Sequence, residues 1–175
     1  MSLVVWWIAS LLLANPAANG PWSGVEARLH VEHESFELEL YTDLDALLLG
    51  MSPASPVEDR IRAMTRFQGE ELDVAIKRLK RYLDRRIRVR FDGEAASLVV
   101  VFPRSQRSVD GASLSSLGGR ALLRGTVPAR ARSVSFFASR SFGAVRLTVR
   151  TRAGSARQLL EPGEKSAPVR LGADP

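Results

Sequence analysis

A chain of 175 residues, 45% hydrophobic and 25% charged, is long enough to bury one sizeable core and too apolar for global disorder. It has no cysteine, which excludes a disulfide framework, a thiolate metal site and a thiol nucleophile. Its formal charge of +6 comes almost wholly from arginine, the only lysines being Lys77, Lys80 and Lys165.

The charge is unevenly spread. Glu26, Glu32, Glu34, Glu37, Glu39, Asp43 and Asp45 make the N-terminal part acidic, whereas residues 111–160 contain no Asp or Glu but many Arg. Such a surface suits anionic lipid headgroups, polyanionic glycans or an acidic partner face, and equally a solvated positive face with no dedicated ligand.

Residues 3–13 form an uncharged apolar run, followed by Pro16 and the small residues Ala17, Ala18 and Gly20. A helix needs about 20 apolar residues to cross ~30 Å of hydrocarbon, so this run is too short for that. Residues 1–20 therefore read as a secretory signal peptide or, left uncleaved, a signal anchor. Met1 and Ser2 lack the usual positive charge, and Pro21 would follow a cut after Gly20, so the anchor stays open beside cleavage. Either way residues 21–175 are expected as a single domain outside the cytoplasm, periplasmic or membrane-anchored, where nucleic acid is not the expected partner.

From residue 25 to 41, apolar residues alternate with Glu, Arg and His on both sides of His33-Glu34-Ser35, which predicts a hairpin with one buried face. Asp43 and Asp45 precede a short helix over residues 46–49, stopped by Gly50. Pro53 and Pro56 interrupt the next stretch. Ser55-Pro56-Val57-Glu58 then has the form of a helix start, with Ser55 as cap and Pro56 in the first turn. Helix is expected from about 57 to 85, broken near Gly69. Leu72, Ile76, Leu79 and Leu83 share one stripe of it, backed by Lys77, Arg78, Lys80 and Arg81, as in a helix packed on a sheet.

Beyond the helix, Ile87, Val89 and Phe91 alternate with arginines and run into Asp92-Gly93, a hairpin signal whose expected partner strand is residues 98–102. The Ser- and Gly-rich residues 105–119 read as a loop. Strands follow over 121–127, 133–138 and 144–151, with weaker ones near 158–160 and 169–171. Short strands separated by turn signals predict an α+β fold: an antiparallel β-sandwich, Ig-like, with a helical insertion after the first hairpin.

Three stretches carry a family resemblance: the hairpin end at residues 38–48, the helix end and strand at 86–93, and the closing residues 147–150 and 158–166. In that order the chain resembles the extracytoplasmic N-terminal domain of HupE/UreJ-like membrane proteins, hydrogenase and urease accessory permeases linked to nickel. The resemblance implies a sandwich-like fold, a place beside a membrane and a metal permease as partner. The metal-handling histidines and acids of such proteins lie in their transmembrane part, so no transport residue carries over.

Motifs for chemistry are sparse. The two histidines, His30 and His33, with Glu32 and Glu34 nearby, form the candidate metal site, imidazole suiting Cu(II) or Ni(II). On a straight strand their odd offset sends them to opposite faces unless the turn folds His33 back. Arg146, Arg150 and Arg152 are the candidate residues for an anionic surface. Asp43 and Asp45 are paired carboxylates, more simply read as turn caps. No Gly-x-Ser-x-Gly elbow or phosphate loop is present. The expected function is therefore a non-catalytic exported accessory domain that acts at a membrane with a membrane-protein partner and without a cofactor. The alternative is a periplasmic binding module for a metal ion or anionic lipid.

Overall fold

The computed structural model describes residues 24–51, 55–65, 69–103, 105–109 and 112–172; the signal segment expected over residues 1–20 lies outside them. Strands β1 (Val25–Val31) and β2 (Ser35–Tyr41) form the expected hairpin. Alternate side chains of a strand point to opposite faces. Val25, Ala27, Leu29, Val31, Phe36, Leu38 and Leu40 accordingly enter the core, and the charged residues between them stay outside.

Helix α1 (Leu44–Leu49) begins where the Asp43 carboxylate accepts the Ala46 N–H at 2.8 Å and ends at Gly50, whose φ of 66° suits glycine. Helix α2 spans Val57–Met64. Pro56 occupies the cap position itself and offers no side-chain acceptor, so the Ser55 cap is not made. Helix α3 (Glu70–Arg86) follows the break at Gly69, with Glu70, Glu71 and Asp73 in its first turn and Arg85 and Arg86 in its last, matching the helix dipole. Its apolar stripe faces inward: Ile76, Leu79 and Leu83 are buried in the main core and Leu72 packs against it.

Helix α3 runs directly into β3 (Ile87–Phe91). The Asp92-Gly93 turn, with φ of 48° and 95°, folds the chain back as expected, but only β4 (Glu94–Ala95) pairs with β3. Strand β5 (Val99–Val101), the expected partner, crosses to the other sheet. An apolar run without alternation announces a strand but does not say which neighbour it takes. The expected loop also differs: β6 (Ser105–Val109) and β7 (Ala112–Ser116) form a two-stranded ribbon. Serine at half of these positions gives no hydrophobic alternation to read.

The remaining strands are β8 (Arg120–Thr126), β9 (Ser133–Ala138), β10 (Val145–Thr151), β11 (Gly154–Leu160) and β12 (Val169–Arg170). One sheet has the order β11-β10-β1-β2-β8-β5 and another β12-β9-β3-β4. Among the described residues only β1 and β10 pair in parallel; every other ladder is antiparallel. The fold is thus α+β, mostly strands in two antiparallel-rich sheets with a few helices.

Both sheets and α3 feed one core. Phe36 of the larger sheet and Phe91 of the smaller meet with ring centroids 5.3 Å apart and planes tilted by 54°, a favourable aromatic geometry. Gly125 leaves room for this contact, since a Cβ there would sit 2.6 Å from the Phe36 ring and 2.4 Å from the Ser97 carbonyl oxygen. Phe91→Ala should therefore cost about 3–5 kcal/mol through the cavity it opens. Gly125→Ala should cost about 1–3 kcal/mol through overpacking. Urea unfolding followed by circular dichroism measures both.

Candidate functional site

The outer face of the larger sheet gathers the charged residues that alternate with the core residues. The strand register sets them in rows. One row runs Leu159, Arg146, Glu26, Tyr41, Arg120; the next Arg157, Thr148, Arg28, Glu39, Leu122, Val101; the third Ser155, Arg150, His30, Glu37, Arg124, Val99. The acids of β1 and β2 are held by neighbouring arginines: Arg28 to Glu26 at 2.9 Å, Arg120 to Glu39 at 3.2 Å and Arg124 to Glu37 at 2.6 Å. Arg28 also lies over the Tyr41 ring, 4.7 Å from its centroid, and the Tyr41 hydroxyl donates to Glu39 at 3.0 Å. The Glu26 hydrogen bond, the largest influence, raises the Arg28 pKa above its ordinary value.

Arg150 and Arg157, on β10 and β11, make no ion pair or hydrogen bond among the described residues. The structure thus brings Arg146 and Arg150 onto one face, about 13 Å apart along the strand, with Arg157 opposite the intervening Thr148. Sequence reasoning misses Arg157, because the strand expected near residues 158–160 is too short to place it in register. Three exposed apolar side chains flank the face: Leu159 (60% exposed) at one edge and Val99 and Val101 (65% and 38%) at the other.

Arg152 is not on this face. It lies beyond the end of β10 and lines an open cleft of about 330 Å³ with the β1–β2 turn (Glu32, His33, Glu34), the β8–β9 connection (Val127 to Ala131) and Leu171 and Gly172. The two histidines separate: His30 stands on the outer face between Glu37 and Arg150, and His33 lines the cleft. Among the described residues no group of three or more His, Asp or Glu is arranged to hold a metal ion.

The cleft wall at residues 128–131 has an unusual backbone. The Ala131 N–H donates to the Pro128 carbonyl at 3.2 Å, closing a turn in which Arg130 has φ of 65°. Glycine is the usual occupant of that conformation, and another L-residue there costs ~1 kcal/mol. Asp92 fixes the far end of the same connection. Its carboxylate accepts the Arg132 N–H at 3.0 Å and the Ser133 N–H and hydroxyl at 2.9 Å each. The Leu171 N–H donates to the Arg132 carbonyl at 2.9 Å, so the C-terminal rim is tied to the same point.

The paired carboxylates are structural. Asp43 caps α1 and pairs with Arg60, and Asp45 accepts the Leu117 N–H at 2.9 Å. Asp45 therefore ties α1 to a distant loop. No helix of the described residues is long and apolar enough to cross a membrane. No protein-family model and no curated protein matches the chain.

The Arg132 backbone hydrogen bond first, then the Ser133 hydroxyl, holds the Asp92 carboxyl below its ordinary pKa. A depressed folded pKa stabilises the fold above the unfolded carboxylate's value, and that contribution disappears as pH falls through the folded value. Asp92→Asn keeps a side chain tolerated at positive φ. It should lower the melting temperature at pH 7, and the gap from wild type should close on acidification. Thermal melts between pH 7 and pH 2 test this.

Proposed function

We propose that this chain is a non-catalytic exported accessory domain that acts at a membrane by docking to a membrane-protein partner, a metal permease being the partner its family resemblance implies. In this reading residues 1–20 export it, residues 21–175 work as one extracytoplasmic domain, and nucleic acid is not a partner. Its finer fold is an Ig-like β-sandwich with a helical insertion after the first hairpin. Support for that fold comes from two antiparallel-rich sheets that share one core, and from α1, α2 and α3 following β2 in the chain.

The observation that carries the function is the outer face of the larger sheet. Its acids are already neutralised within the face, its free cations collect on β10 and β11, and exposed Leu159, Val99 and Val101 flank it. A protein surface with acidic and apolar spots complements that arrangement. The free Arg150 and Arg157 favour one second reading, a module that binds anionic lipid headgroups.

A photo-crosslinking residue in place of Leu159, in the full-length chain in its own host, separates these readings. The docking account expects a covalent adduct with a polytopic membrane protein that is lost when Arg150 and Arg157 are both changed to Glu. The lipid reading instead expects binding to anionic vesicles that falls steeply with salt, because the Debye length is only about 10 Å at 0.1 M. Recovery of the uncut chain in the soluble cytosolic fraction, with neither adduct nor vesicle binding, would contradict both.

A further inference from the structure

The end cleft is independent of the outer sheet face and has its own chemistry. Arg130 reaches it from the β8–β9 connection and Arg152 from the β10–β11 turn, while Glu32 and Glu34 come from the β1–β2 turn. None of these four side chains makes an ion pair or hydrogen bond among the described residues, although they line one cleft. Opposite charges facing a common space without closing on one another leave both signs available to a guest. Val31, Val127 and Leu171 add apolar wall between them.

The backbone supplies a second, separate observation. Arg130 occupies a position with φ of 65°, where glycine would be easier, yet its side chain has no partner within the described fold. An arginine kept in a strained turn with no hydrogen-bond or ion-pair partner fits a side chain held for a ligand. Polar contacts tie both arginine-bearing loops to the C-terminal rim: the Thr151 hydroxyl donates to the Arg170 carbonyl at 3.0 Å, and the Leu171 N–H donates to the Arg132 carbonyl at 2.9 Å.

We infer that this cleft binds a small zwitterion of the amino-acid or dipeptide class, its carboxylate on Arg130 and Arg152 and its ammonium on Glu32 and Glu34. With two guanidiniums set against two carboxylates the lining carries no net formal charge. A compact polyanion would meet the glutamates and a bare cation the arginines. A ligand with one charge of each sign satisfies both pairs, and the guanidinium fork matches a carboxylate in two-point contact.

The test is a titration of the full-length, isotope-labelled chain in mild detergent with alanyl-alanine, followed by amide chemical shifts. N-acetyl-alanyl-alanine amide, sodium acetate and inorganic phosphate are the controls. Alanyl-alanine is expected to move the amides of residues 31–34, 127, 129–131 and 171–172, and the blocked peptide to leave them unmoved. Arg130→Gly and Arg152→Ala should each weaken binding about tenfold, the loss of one charge-assisted contact. Arg130→Gly should leave the melting temperature unchanged or raised, since it relieves the turn. No shift at this end with millimolar alanyl-alanine would overturn the inference. So would phosphate or acetate binding as tightly as the dipeptide, which describes a plain anion site. A clear fall in melting temperature for Arg130→Gly would also overturn it, by showing that the arginine serves the fold.

Discussion

Strand β10 lies parallel to β1, with Val25 opposite Val145 and His30 opposite Arg150, and this non-local pairing decides where most functional features fall. The β1–β2 hairpin is local and could form alone only marginally. Its free edge is covered by a strand more than a hundred residues later, and β11 then extends the sheet through the next hairpin. Leu147 and Val149 complete the buried face opened by Ala27 and Leu29. Direction matters as much as proximity. Because β10 runs with β1, its exit at Arg152 comes out at the same end as the β1–β2 turn, and β8, antiparallel to β2, exits there too. An antiparallel β10 would carry Arg152 to the opposite end and leave the cleft without one arginine.

The smaller sheet completes this arrangement through a few polar contacts. Asp92 pins the start of β9, and the Leu171 N–H bonds to Arg132 in the same region. Ser166, only 3% exposed, accepts the Phe136 N–H on its hydroxyl oxygen, while its own N–H donates to the Phe136 carbonyl. These bonds hold the C-terminal segment along β9 where hydrophobic burial is sparse. Asp43, Asp45 and Asp92, acids outside the outer sheet face, likewise accept backbone N–H groups: from Ala46, from Leu117, and from Arg132 and Ser133.

Much of the architecture was legible in the sequence wherever alternation was strict. The hairpin over Val25–Tyr41, the stripe Ile76, Leu79, Leu83 and strands β3 and β10 all carry a clear period, and period follows directly from which face is buried. Partnership was not legible. Nothing local in Val99-Val100-Val101 says that it joins β8 instead of returning on β3, and the serines of β6 and β7 hide a ribbon as a loop. The candidate sites divided for the same reason. Arg146 and Arg150 share a strand face by simple alternation, whereas placing Arg152 beside His33 requires the parallel register between distant strands. Arg130 gave no sequence signal, because a positive φ at a non-glycine residue leaves no compositional trace.

The direction and register of β1 against β10 therefore decide the arrangement, and the absence of native cysteine allows a clean test. Neighbouring strand residues on one face lie within the range of about 4.4–6.8 Å between Cα atoms that a disulfide requires. The measurement is oxidation of the double variant His30→Cys/Arg150→Cys beside His30→Cys/Arg146→Cys, scored by thiol titration and mass. A disulfide is expected in the first pair and free thiols in the second. Free thiols in the first pair with closure of the second would contradict that register.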